Sequence, residues 1–165
     1  MLLSACSHSS FNEELTTIDS LITEYNQLKV VVDSMNFDEA KLQYNEYELL
    51  MTKSRTALEN LDRKDIKDVA FINKLKLLKR SLNPYIKTHQ NLAKNIPRNI
   101  QELKRLQNDI SNNVYNKSKA DNFITKEKSL LNDKKEAYKI AIDGFSRSDT
   151  LLQIINQKLE KISSY

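Results

Sequence analysis

One glycine, Gly144, and two prolines, Pro84 and Pro97, serve the whole 165-residue chain. Nothing else in the sequence narrows the fold as far. A sheet protein must reverse direction every roughly 8–12 residues, and its tight turns draw on glycine and proline. Sandwiches and barrels are excluded on that ground. Rossmann folds and P-loop enzymes are excluded with them, because loops that cradle phosphates need clustered glycines. The chain must therefore be almost entirely helical. Its length suits a single domain over one core.

Apolar spacing sets out the helices. Ser10-x-x-Glu13 is a capping box that opens a first helix. Phe11, Leu15, Ile18, Ile22, Tyr25 and Val32 then form one stripe, which ends near Asp33 and Ser34. Asn36-x-x-Glu39 starts a second helix striped by Tyr44, Tyr47, Met51, Ser54, Leu58 and Leu61. The connection is short, so these two helices are expected to form an antiparallel hairpin. Asp65-x-x-Asp68 starts a third, with Leu75, Leu78, Leu82, Tyr85, His89, Leu92 and Ile96 in phase across Pro84. That unbroken phase predicts one kinked helix at Pro84. Ile96-Pro97 reads as a stop, with Ile100, Leu103, Leu106 and Ile110 on a short restart.

Residues 112–116 form a polar loop, after which Ser118-x-x-Asp121 opens a last helix. Its stripe (Phe123, Leu130, Ala137, Ala141, Phe145, Ser148, Leu152, Ile155, Leu159 and Ile162) predicts one helix to the end of the chain. Within it Gly144 marks a bend or the close approach of another helix. No repeat of about 34 residues recurs. The fold class is all-α: an elongated antiparallel helical bundle of four to five long helices with coiled-coil-like packing.

Residues with catalytic chemistry are sparse. The two histidines are His8, near the N-terminus, and His89, on the apolar stripe. Neither has the Glu-x-x-His spacing of a di-iron bundle, and no HExxH or GxSxG motif occurs. The expectation is a protein that is not an enzyme, with no catalytic residues, metal or cofactor. Tyr25, Tyr44, Tyr47, Tyr85 and Tyr138 are expected to pack their rings inward with hydroxyls reaching water.

Charge is split along the chain. Residues 1–62 carry a net −7 and residues 63–165 a net +11. Arg80, Lys87 and Lys94 recur every seven residues, with Lys76 nearby. The simplest arrangement lays the acidic first hairpin beside this basic helix. The alternative makes Lys76, Arg80, Lys87 and Lys94 a face for an anionic partner. Nucleic acid is not the expected partner, since no aromatic residues interleave with the bases.

The first residues read differently. Leu3-Ser4-Ala5-Cys6 pairs an aliphatic and two small residues with the chain's one cysteine. It resembles the lipobox of bacterial lipoproteins, in which the cysteine thiol is alkylated by diacylglycerol and a peptidase cuts before it. The resemblance implies lipidation at Cys6, with residues 1–9 as the remnant of a signal segment plus tether and 10–165 as one bundle domain. Five residues precede Cys6, fewer than the charged and apolar regions of a signal peptide occupy. It implies a bacterial cell envelope protein, lipid-anchored in the outer membrane and facing the periplasm. Asp33-Ser34-Met35 is similar to the Asp-Ser/Thr-aliphatic O-glycosylation motif of some Gram-negative envelope proteins, which makes Ser34 a candidate site. The expected role is structural or protein-interaction, with an envelope protein or anionic envelope polymer as partner. The alternatives are a module binding an anionic or lipid-like molecule beside Tyr85 and His89, and an inhibitor or immunity-type lipoprotein.

Overall fold

The computed structural model describes residues 11–59 and 69–163. Among them 92% are helical and none lies in a strand. The helices are α1 (Asn12–Asp33), α2 (Phe37–Glu59), α3 (Val69–Ser111), α4 (Lys117–Phe145) and α5 (Ser148–Ser163). Cys6, His8, Ser10, Leu61 and the 65–68 cap lie outside the described residues.

α3 is one helix of 43 residues, roughly 65 Å at about 1.5 Å per residue. It runs through Pro84, as expected, and also through Pro97, where a stop was expected. Its buried positions explain why. Phe71, Leu75, Leu78, Leu82, Tyr85, Leu92, Ile96, Asn99, Leu103, Leu106 and Ile110 hold one alternation of three and four from end to end. Both prolines sit on the solvent side, so the carbonyls they leave without a helical donor, those of Arg80 and Ala93, face water.

The expected single helix after residue 117 is instead two. Ser146 and Arg147 interrupt it, with Arg147 N–H donating to the Gly144 carbonyl over three residues at 3.3 Å. The buried phase nevertheless continues across the interruption, from Ala141 to Ser148, Leu152, Ile155 and Leu159. At Gly144 a β-carbon would lie 3.6 Å from the Ser81 carbonyl oxygen, so α3 approaches closely there.

Packing divides the chain into two compact units. One contains α1, α3 from Leu92 onward and α4 through Lys135; the other contains α2, α3 through Asn91, the end of α4, and α5. In the first unit α1 buries Ile18, Leu21, Tyr25, Leu28 and Val32. Asp19 accepts from Gln107 of α3 at 2.7 Å, while Glu14 and Glu24 pair with Lys117 and Lys135 of α4. The order of the last two contacts means that α1 and α4 run in the same direction.

In the second unit Tyr47, Leu50, Phe71, Leu75, Leu78, Leu82, Leu152, Ile155 and Leu159 form one apolar cluster. A buried polar knot joins α2 to the start of α5. The Ser148 hydroxyl donates to Gln43 Oε1 at 2.6 Å, and Gln43 Nε2 donates to Asp149 at 2.6 Å. Met51 and Phe123, expected in the core, are exposed at 38% each. In α2 the buried position beside Met51 is Leu50, and in α4 the one beside Phe123 is Ile124.

Candidate functional site

The basic face was the principal candidate. Residues 69–101 of α3 contain seven Lys or Arg and no Asp or Glu. Two acidic residues of α1, Glu14 and Glu24, meet lysines of α4. In the unit that contains α2 and α5, Lys76, Arg80 and Lys87 are exposed and lie within about 40° of one another around the helix at 100° per residue. Lys94 is exposed in the other unit. None of the four joins an ion pair among the described residues. Among the described residues the four basic side chains are therefore exposed to solvent and outside any ion pair.

The neighbourhood of Tyr85 and His89 is packed. Tyr85 is buried and stacks on Phe145 with centroids 4.1 Å apart, and the half-buried His89 stacks on Phe37 at 4.2 Å. Burial pushes the Tyr85 phenol up, partly offset by the backbone N–H of Asn36 donating to it. Ser34 lies exposed between α1 and α2. Among the described residues no group of three or more His, Cys, Asp or Glu could hold a metal, and no helix is long and apolar enough to cross a membrane.

A groove of about 590 Å³ lies in the first unit, between α3 and α4. Its lining mixes apolar side chains, Leu106, Phe123 and Leu130 among them, with acids and with the cations Arg98, Arg105, Lys126 and Lys134. Tyr115 and Phe123 stand 5.4 Å apart, centroid to centroid. Asn99 is buried and its amide hydrogen-bonds toward Glu127, favouring the charged form. Burial outweighs that and pushes the Glu127 carboxyl up, with the Glu102 charge adding to it. The Tyr25 phenol, fully buried, is pushed up by desolvation and by the same two carboxylates. Tyr25 Oη and Glu127 Oε2 are both buried with no hydrogen-bond partner in good geometry. For Tyr25 this corrects the expectation that its hydroxyl reaches water.

These groove residues were not singled out from the sequence. A signal was there: Asn99 and Glu127 stand in phase with the buried apolar positions of α3 and α4, where a polar residue requires a partner. Set against protein-family models, curated proteins and solved structures, the chain matches none.

Proposed function

We propose that this protein is a non-catalytic helical module, tethered by lipid at Cys6 to the bacterial outer membrane on its periplasmic side, that docks an anionic envelope partner through α3. In this reading an acidic envelope protein or anionic polymer lies along Lys76, Arg80, Lys87 and Lys94. The observation that carries it is the stretch of residues 69–101, basic and free of acid, whose four candidate cations are exposed and outside every ion pair of the described residues. A face that served only solubility would mix both signs. Uncompensated like charges repel along the helix, and an anionic partner relieves that repulsion while gaining attraction.

The test uses the full chain behind a complete signal peptide. Arg80→Glu with Lys87→Glu should leave the melting temperature nearly unchanged, because neither side chain has an ion-pair partner among the described residues. Salt-sensitive retention on anionic vesicles or isolated cell-wall material should be abolished. Retention that survives the double change at low salt refutes the docking face. Independently, Cys6→Ala should move the protein from the membrane to the soluble fraction, and its staying with the membrane refutes the anchor.

A further inference from the structure

The cations of α3 are arranged differently from those of its neighbours. α2 and α4 mix both signs along their exposed positions, with Lys41, Glu48 and Lys53 on one and Lys128, Asp133 and Glu136 on the other. On α3, within the unit that contains α2 and α5, the exposed Lys76, Arg80 and Lys87 stand in single file. The seam that buries Phe71, Leu75, Leu78, Leu82 and Tyr85 centres about 160° away around the helix at 100° per residue, so the row faces away from the core. Other exposed residues on this side, Asn73, Leu77, Pro84 and Asn91, carry no charge. Successive cations are about 6 and about 10 Å apart along the axis, which makes a row roughly 16 Å long and one residue wide.

That shape selects among anionic partners. A protein partner needs a buried centre with aromatic or apolar anchors and about 800 Å² on each side. Leu77 is the one large hydrophobic that α3 exposes among the described residues. A helix lying in a lipid surface needs an apolar face turned to the acyl chains, and the apolar face of α3 in this unit is packed into the core. A linear polyanion requires neither. It needs cations in file, and it releases condensed counterions on binding, a gain that scattered carboxylates on a folded protein do not offer.

We propose, resting on the docking reading above, that the partner on this face is a linear polyanion lying lengthwise along Lys76, Arg80 and Lys87. The polymer's charges meet the three cations in turn, and the uncharged flanks leave room for its backbone.

The experiment titrates the full chain with long-chain sodium polyphosphate by calorimetry across a salt series. Phosphatidylglycerol vesicles and tripolyphosphate, which is too short to reach from Lys76 to Lys87, are the comparison probes. Polyphosphate affinity should fall with salt at a log–log slope of about −2 to −3, the release expected from three cations. Arg80→Gln with Lys87→Gln should weaken binding at least about tenfold at 0.1 M salt and reduce the slope by about 1.5–2. Lys53→Gln with Lys128→Gln removes the same charge from exposed positions off the face and should change affinity by no more than about twofold. Tripolyphosphate should bind at least about tenfold more weakly per phosphate. An equal loss in the Lys53 and Lys128 variant overturns the proposal, since net charge alone would then govern binding. Vesicles bound as tightly as polyphosphate per phosphate also overturn it, in favour of a lipid surface. Without polyphosphate binding, retention on isolated envelope material that still depends on Arg80 and Lys87 overturns the polymer and leaves docking on an acidic protein; no dependence in either assay overturns both.

Discussion

Replacing Pro97 with alanine tests the account of α3 at its most unusual point. The proline lies inside an uninterrupted helix on the exposed side. A proline within a helix costs about 3 kcal/mol relative to alanine, through the lost hydrogen bond and the clash of its ring with the carbonyl four residues back. Alanine restores an N–H that can donate to Ala93. Two terms reduce the gain. Alanine frees the unfolded chain, which returns about 0.4–1 kcal/mol, and the local backbone has already adjusted to the ring. The net expectation is a stabilisation of about 1–2 kcal/mol. For a chain of this size each kcal/mol moves the melting temperature by roughly 2–4 °C, so a rise of about 5 °C should be seen by circular dichroism at 222 nm. Pro84→Ala should behave alike. A fall in melting temperature with helicity unchanged refutes the reasoning: the ring would then be holding a bend on which the packing of α3 depends.

Gly144→Ala should be neutral or stabilising by up to about 1 kcal/mol, since the new methyl meets Ser81 at ordinary van der Waals distance; a clear loss in a thermal melt refutes the reading of that contact. Two carboxylates should give opposite pH signatures. The Lys117 ammonium bonded to Glu14 holds its carboxyl below the usual value of 4.5. Its contribution is therefore complete above that pH and lost as pH falls through the lowered value, so Glu14→Gln should destabilise at neutral pH and less so in acid. Glu127 is displaced upward from the same starting value. Its ionisation opposes folding as pH rises through the raised value, so Glu127→Gln should be the more stable protein at neutral pH and lose that advantage below about pH 4.5. Denaturant midpoints measured across that range check both signs.

The helical fold was legible because one composition fact removed every alternative, and the seam of α3 was legible because few of its neighbouring positions compete for it, although Pro97 read as a stop that the helix runs through. Elsewhere adjacent apolar residues made the phase ambiguous. In α1 the sequence offers both Leu21 and Ile22, and the seam buries Leu21. In α2 it offers Leu49, Leu50 and Met51, of which Leu50 is buried. Periodicity locates a stripe to within one residue; the direction from which the neighbouring helix approaches decides the rest. Pairing was less legible still. A short link between two helices does not say which part of a longer helix each one covers. A 43-residue seam needs more cover than a helix of 22 or 23 residues provides, so α1 and α2 each pack with a different part of α3.

Polar residues standing in apolar phase show what periodicity conceals. Glu14, Gln43, Asn99 and Glu127 all occupy positions where the helix turns inward, and a sequence stripe drawn from apolar residues passes over each. Each meets a polar neighbour on another helix. Glu14 has its charge met by Lys117. Gln43 is held by Ser148 and Asp149 on α5, and Asn99 binds Glu127. Such contacts fix which helices meet, because an apolar seam alone accepts several partners while a buried donor accepts few. Glu14 and Glu127 each keep one buried carboxylate oxygen without a hydrogen-bond partner, so meeting one oxygen of a carboxylate is enough to fix a helix contact. Their charges nevertheless fare differently: the Lys117 ammonium holds the Glu14 carboxyl down, whereas burial and the Glu102 charge push the Glu127 carboxyl up. What separates the two is therefore the charge of the neighbour that the packing supplies, not burial alone.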